Sequence, residues 1–107
     1  DSAANPYLTL AVCLKAGLDG ITNQMDPPDS VDCNIYNMTD QERNALGIRN
    51  LPGTLHEALE EMKKDKLILD VLGQHLAGKY IEAKEAEWQK YRASVSEWEI
   101  QEYLYRY

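Results

Sequence analysis

The stretch SAANPYLTLAVCLKAGLDGI, residues 2–21, predicts a helix with a clear beginning and no polar face. Asn5 is a residue type that caps helices, and Pro6 suits the first helical position, where its missing N–H costs nothing. Beyond Pro6 the apolar side chains surround the helix, and only three polar residues clearly interrupt them: Thr9, Lys15 and Asp19. An amphipathic surface helix would collect its polar residues on one face. A membrane span needs about 20 apolar residues in a row, and Lys15 and Asp19 interrupt this run. The pattern therefore predicts a helix that is enclosed by protein.

The composition is that of one globular unit at most, with 107 residues, 44% of them hydrophobic and 27% charged. A formal net charge of −7 disfavours nucleic acids and anionic membranes as partners, because both would repel the chain. The sequence opens without Met, a basic segment or a cleavage-type apolar segment, so we expect a piece of a cytoplasmic protein. Cys13 and Cys33 lack a CxxC spacing, and two reduced thiols are expected.

Capping boxes predict three further helix starts, each a Ser or Thr followed three residues later by Glu. They are Thr39 with Glu42, Thr54 with Glu57, and Ser96 with Glu99. Between the first helix and Thr39, Pro27 and Pro28 exclude regular helix and no alternation indicates a strand, so a loop is expected. Gly47 is expected to end the second helix. Gly73 is expected to separate TLHEALEEMKKDKLILDVL from the next helical segment.

From about His75 to Ala93, apolar residues recur at helical spacing, which predicts a long helix with one buried face that includes Trp88 and Tyr91 and continues to Val95. The ending SEWEIQEYLYRY is aromatic, and seven of the nine aromatic residues lie in residues 80–107. The chain is therefore predicted to be mainly α, with about five helices and no confident strand.

Residue patterns alone predict no catalytic, cofactor-binding or metal-binding residues. Asp26, Asp29 and Asp32 lack the ligand alternation and central Gly of a calcium loop. His56 and His75 have no paired ligand, and His56 is expected to have a surface role in the first turn of a capped helix. The run EEMKKDK indicates a solvated helix face with i, i+4 pairs such as Glu60 with Lys64. Phosphate loops and nucleophile elbows are not found.

Four segments, in order, resemble the C-terminal quarter of bacterial type I glutamine synthetases. They are SAANPYLTLAVCLKAGLDGI, DPPDSVDCNIYNMT, LPGTLHEALEEMKKDKLILDVLGQHLAGKYIEAKEAEW and YRASVSEWEIQEYLYRY. The resemblance covers essentially all 107 residues and is nearer to the shorter, feedback-inhibited branch than to the longer, adenylylated one. An alternative from another class is a free-standing acidic helical module for protein interaction.

The resemblance implies a ligase of glutamine biosynthesis and nitrogen metabolism, which joins glutamate and ammonia with ATP through γ-glutamyl phosphate. Its Mg or Mn ions neutralise phosphate charge. In the family, the metal, ATP and glutamate ligands precede this segment, and Asp1 matches the end of an RxPD stretch. The resemblance thus implies that residues 1–107 form the C-terminal helical portion of an α+β catalytic domain. It also implies that the isolated fragment is inactive and that its first helix packs on the rest of that domain, against a sheet.

Residues 96–107 match a C-terminal helix that the family docks into a subunit of the opposite ring in a dodecamer of two hexamers. The expected oligomer contacts are Trp98, Ile100, Tyr103, Leu104 and Tyr105, because large amphipathic side chains suit an apolar socket. The resemblance also implies a transcription regulator as a partner of this tail. Tyr36, within NIYNM, resembles the position that is adenylylated in the longer branch, but Asn37 replaces an Asp there. A structural role is therefore expected for Tyr36 ahead of modification.

Overall fold

The computed structural model describes residues 3–104 and 106, and this part of the chain contains helices and turns without a strand. The chain divides into two compact units, residues 1–53 and 54–107, in place of the single unit expected from its length. In the described residues the buried hydrophobic side chains are Leu59 and Ala77, and both belong to the second unit.

Helix α1 spans Pro6–Thr22, as its start signal predicts. The Asn5 side-chain oxygen accepts hydrogen bonds from the backbone N–H groups of Tyr7 at 3.0 Å and Leu8 at 3.3 Å. Two of the donors that every helix start leaves without a helical partner are satisfied in this way. The helix ends at Asn23, whose backbone N–H bonds to the Asp19 carbonyl at 2.9 Å.

The rest of the first unit is a loop, a 3-10 turn at Ile35–Asn37 and helix α2 at Asp40–Ala45. Thr39 and Glu42 form the predicted capping box: the Glu42 carboxylate accepts from the Thr39 N–H at 2.7 Å, and the Thr39 hydroxyl accepts from the Glu42 N–H at 3.3 Å. Gly47 has a φ of 68° and follows α2, as expected. The N–H of Ile48 returns to the Arg43 carbonyl at 2.9 Å, which completes a Schellman ending.

In the second unit, α3 spans Leu55–Lys64 and α4 spans Lys66–Ala93. The predicted cap is present, since the Thr54 hydroxyl accepts from the N–H of Glu57 at 3.2 Å. The expectation of one segment running to Leu72 is wrong because Asp65 separates the two helices. Its carboxylate accepts from the N–H groups of Leu67 and Ile68 at 2.9 and 3.3 Å, so Asp65 caps α4.

Gly73 interrupts α4 with φ 72° and ψ 155°, a conformation open almost only to glycine. The predicted break at this residue is therefore confirmed, as a bend between two helical stretches rather than a loop. After α4 the chain forms the short helix α5 at Glu97–Glu99, and a π-helical turn at Ile100–Leu104 follows. Ser96 and Glu99 form the predicted capping box of α5.

Candidate functional site

The most apolar surface of the first unit is the α1 stripe, which we define by five large side chains whose exposed fractions lie between 50% and 83%: Tyr7, Leu10, Leu14, Leu18 and Ile21. Their spacing of three or four residues places all five on one side of the helix. No residue of α1 is buried. The enclosure predicted from the sequence is thus not supplied by the described residues, which leave the stripe exposed.

The second feature of this unit is the turn that carries Tyr36. The Asn34 side-chain oxygen caps the turn by accepting from the Tyr36 N–H at 3.1 Å. The Tyr36 side chain is 93% exposed, so the described chain provides no packing for its ring. An open groove of 580 Å³ lies beside the turn and includes Cys33, Met38 and Leu46 in its lining. The structural role expected for Tyr36 is not visible within this chain, and its modification stays a prediction.

In the second unit, α3 and α4 form a helical hairpin that contains the buried side chains Leu59 and Ala77. An ion pair also joins the two helices, because the Lys63 ammonium lies 2.7 Å from Glu60 and 2.6 Å from Glu85 on α4. The hydrogen bond to Glu60, followed by that to Glu85, raises the pKa of Lys63. The same bond from Lys63 lowers the pKa of Glu60. The expected Glu60–Lys64 pair is replaced by i, i+3 pairs of Glu60 with Lys63 and Glu61 with Lys64.

The hairpin also stacks aromatic rings. The His56 imidazole lies parallel to the Trp88 indole, with ring centroids 5.9 Å apart and an interplanar angle of 9°. Tyr91 lies on a neighbouring turn, 5.8 Å from Trp88. The sequence predicts a surface role for His56 but does not predict this contact. The contact joins α3 to α4. Tyr91 and Val95 are 71% and 70% exposed, so the predicted buried face ends before them.

The tail surface consists of four residues of α5 and the π-helical turn: Trp98, Ile100, Tyr103 and Leu104. Trp98, Tyr103 and Leu104 are 62%, 57% and 66% exposed, and Ile100 is half-buried. The rings of Trp98 and Tyr103 meet edge to face, with centroids 5.9 Å apart at an angle of 90°. The fifth expected contact, Tyr105, lies outside the described residues. The structure therefore brings two of the predicted contact residues together in one exposed apolar surface.

A divalent metal would need a cluster of donor side chains. No three or more His, Cys, Asp or Glu side chains among the described residues come together in a way that could hold a metal ion. Residues 3–104 therefore offer no donor cluster of their own for the Mg or Mn that the resemblance implies for the complete enzyme. Cys13 and Cys33 are both free and exposed. No helix in the described part of the chain is long and apolar enough to cross a membrane.

Comparisons with known proteins cover nearly the whole chain. The family model described as glutamine synthetase, catalytic domain, matches residues 1–103. Glutamine synthetase of Thermotoga maritima is 50% identical over 105 residues, which are 98% of this chain and 24% of that protein. Glutamine synthetases of Clostridium saccharobutylicum and Staphylococcus epidermidis are 50% and 49% identical over 107 residues, which are 100% of this chain and 24% of each relative.

The coverage and the identity of these matches show to which family the chain belongs. The family model covers residues 1–103 of a 107-residue chain, and these relatives are about half identical across it. At the same time the chain spans only 24% of the length of these curated relatives. The mainly α fold without strands in the described residues is that of a piece of a larger domain. The chain belongs to the glutamine synthetase family, within the catalytic domain of that enzyme.

Proposed function

We propose that the chain is the C-terminal portion of a cytoplasmic glutamine synthetase of the shorter, feedback-inhibited branch. The complete enzyme would form glutamine from glutamate, ammonia and ATP through γ-glutamyl phosphate. Relatives that carry the name glutamine synthetase and match 98–100% of the chain support this proposal. Bound Mg or Mn would supply charge neutralisation at the transferring phosphoryl group. The ligands for that ion and for ATP would come from the part of the enzyme that precedes these residues.

Within that enzyme, we assign this segment to packing and assembly rather than to chemistry. The observation that carries the assignment is the α1 stripe, whose five large side chains are at least half exposed in this chain. Covering an apolar surface contributes about 25 cal/mol per Å², so covering the stripe would add to the stability of the protein. We propose that the rest of the catalytic domain covers α1, with the active-site sheet lying on the stripe.

The tail surface has the second role in this proposal. Its exposed aromatic side chains are the type that fills apolar sockets between subunits. We propose that residues 96–107 join subunits of the two hexameric rings of a dodecamer. A transcription regulator would compete for the same residues, since one exposed surface cannot serve both partners at once.

Activity measurements test the assignment of chemistry. Full-length protein should convert glutamate, ammonia and Mg-ATP to glutamine, whereas residues 1–107 alone should form no glutamine and no γ-glutamyl transfer product. Titration calorimetry should find no saturable Mg-ATP binding by the isolated chain. Saturable binding by the chain would contradict the assignment, and a full-length protein without ligase activity would contradict the proposed enzyme.

Sedimentation of a truncated enzyme tests the role of the tail. Ending the full-length protein after Ser94 removes several large side chains, each of which stabilises a contact by about 1.5–3 kcal/mol when buried. Hexamers or smaller species are expected at micromolar concentration. Tyr91→Ala in the full-length protein is the matched control, because Tyr91 is exposed but lies before the tail. An unchanged dodecamer after truncation would show that the tail does not join the rings.

A further inference from the structure

The two helices of the hairpin meet at a ring that can take up a proton. The His56 imidazole lies parallel to the Trp88 indole, at an interplanar angle of 9° and with ring centroids 5.9 Å apart. Histidine is the residue type that changes its charge between about pH 5 and 8. A cation within about 6 Å of an indole centroid is attracted by the face of the ring. The contact is therefore a stack of neutral rings when His56 is neutral and a cation–π contact when His56 is protonated.

The exposure of the two rings suits such a change of charge. His56 is exposed and Trp88 is half-buried. A proton can therefore pass between solvent and the imidazole while the hairpin stays closed. The Trp88 indole also contacts Tyr91, whose ring centroid lies 5.8 Å away on the same helix. The indole thus has a neighbour within α4 as well as its partner on α3.

The charges of α3 act on a protonated His56 in two directions. Glu57 and Glu60 both lie within about one turn of His56. The hydrogen bond from Lys63 lowers the pKa of Glu60 most, and the positive charge of His56 lowers it further. Glu60 and a charged imidazole are therefore close enough to attract each other. The start of α3 opposes them, because His56 is its second residue and the helix dipole there disfavours a cation.

The charged residues of α4 within about one turn of Trp88 are three cations and two carboxylates: Lys84, Glu85, Glu87, Lys90 and Arg92. Lys84 lies 2.6 Å from Glu87, and Glu85 lies 2.6 Å from Lys63 of α3. Side chains of these types keep their charge between about pH 5.5 and 8. Among these charged neighbours and His56, the imidazole is therefore the group whose charge changes in that range.

We propose that the contact between His56 and Trp88 is a proton-sensitive clasp, which holds α3 to α4 more tightly when the imidazole is protonated. The proton comes from solvent and binds the free nitrogen of the neutral imidazole, so no covalent bond of the protein breaks. The clasp links local opening of the hairpin to pH. The inference goes beyond the proposed function, because the clasp needs neither ligase activity nor assembly.

Hydrogen–deuterium exchange of the full-length protein, followed by mass spectrometry, tests the clasp. Peptides from α3 and from the Trp88 turn report how often the hairpin opens. The reference is His56→Phe, which keeps a flat ring but cannot be protonated, and measuring both proteins at each pH cancels the pH dependence of chemical exchange. The ratio of the exchange rate of the parent protein to that of His56→Phe should fall about two- to fivefold from pH 8 to pH 5.5.

Either of two other results would overturn the proposal. An unchanged ratio would show that protonation of His56 does not strengthen the contact. A ratio that rises at pH 5.5 would show that repulsion by the start of α3 exceeds the attraction of the indole and of Glu60.

Three variants assign the response to this pair of rings. His56→Arg places a permanent cation on the indole, so its exchange relative to His56→Phe should be slow at both pH values. Trp88→Leu keeps an apolar side chain without a π-face and should abolish the pH response. His75→Phe is the matched control, because His75 is the other histidine of the chain and is exposed. It should respond to pH as the parent protein does.

The variants also decide the result if one of them fails to fold. Fast exchange of Trp88→Leu throughout the hairpin at pH 8 would identify an unfolded variant, and His56→Arg then decides, because it leaves the indole in place. Exchange of His56→Arg as fast as that of His56→Phe at pH 8 would contradict the clasp. Loss of the pH response in His75→Phe would assign that response to the other histidine and would overturn the proposal.

Discussion

Helix α1 and the hairpin of α3 and α4 differ in whether their apolar side chains are buried. Helix α1 is the more apolar of the two regions, yet none of its residues is buried. The hairpin carries many more charges and still contains the two buried hydrophobic side chains of the described chain, Leu59 and Ala77. An ion pair from Lys63 to Glu85 and a ring stack from His56 to Trp88 join its helices.

The difference shows that pattern matters more than hydrophobic content. Helix α3 separates its apolar side from its charged side, so one neighbouring helix is enough to bury Leu59. Helix α1 has apolar side chains all round and would need several neighbours to bury them, which residues 3–104 do not provide. The hairpin therefore forms a core from its own residues, whereas no residue of α1 is buried by the described part of the chain.

The largest expected effect comes from placing a charge in the α1 stripe. In the full-length protein, Leu14→Asp should cost more than about 4 kcal/mol, because the carboxylate would be buried without a partner. In residues 1–107 alone, where Leu14 is 67% exposed, the same change should alter stability by no more than about 0.5 kcal/mol. Denaturant unfolding of both proteins is the measurement. A large loss in the short chain would show that α1 is covered from within it.

A cavity in the hairpin, unlike the charge in α1, should destabilise the short chain as well as the full-length protein. Leu59 is 3% exposed, so Leu59→Ala should destabilise the short chain by about 2–5 kcal/mol. The full-length protein should lose a similar amount, because the contact lies within the segment. Thermal unfolding followed by circular dichroism measures the loss. If Leu59→Ala were neutral in the short chain, the hairpin would not have a core of its own.

Two glycines of α4 offer a smaller, paired test. Gly73→Ala should destabilise the hairpin by about 1–3 kcal/mol, since its φ of 72° and ψ of 155° disfavour any side chain. Gly78 lies within regular helix, and an added Cβ would meet no atom within 4 Å. Gly78→Ala should therefore stabilise by about 0.5–1 kcal/mol. Equal effects in chemical unfolding would show that the bend at Gly73 is absent in solution.

Acid should have the smallest effect, and the capping boxes of both units are where it should be seen in the short helices. Hydrogen bonds from the Thr39 backbone lower the pKa of Glu42, and those from the Ser96 backbone lower the pKa of Glu99, from an ordinary value of 4.5. Because the folded pKa lies below the unfolded one, this stabilisation is complete above the unfolded pKa. It is then lost as pH falls through the folded pKa. Amide chemical shifts of α2 and α5 should therefore move together with the two carboxylates during acid titration.

The paired control replaces both carboxylates with amides. A Glu42→Gln and Glu99→Gln variant should show no such movement over the same pH range. The hairpin core, which has no carboxylate in its buried residues, should stay unchanged in both proteins. Loss of the core signals before those of α2 and α5 would contradict the local origin of the effect.

Local features of this fold were predictable because their causes are local. Asn5 and Pro6 start α1, Thr39 starts α2, and Gly47 ends it, each through hydrogen bonds within six residues. The mainly α class follows from the same signals. The concentration of aromatic side chains in the tail and the family resemblance together predict a contact surface, and that role stays a prediction.

Other features depend on contacts that periodicity does not encode. Asp65 lies in a run of good helix formers, so its capping role is hidden until the chain turns. His56 and Trp88 are 32 positions apart, and nothing in either local pattern pairs them. The π-helical turn at Ile100–Leu104 differs from an α-helix by one residue per turn, which a short segment cannot reveal.

The exposure of α1 also has a meaning for protein quality control in the cell. Chaperones and proteases continuously sort chains that display apolar surface. A subunit that is truncated, or that has not completed its catalytic domain, presents five large side chains of α1 to that machinery. In the proposed complete subunit, the rest of the catalytic domain would cover them. If that covering is as proposed, exposure of α1 would mark an incomplete subunit as a target for this machinery.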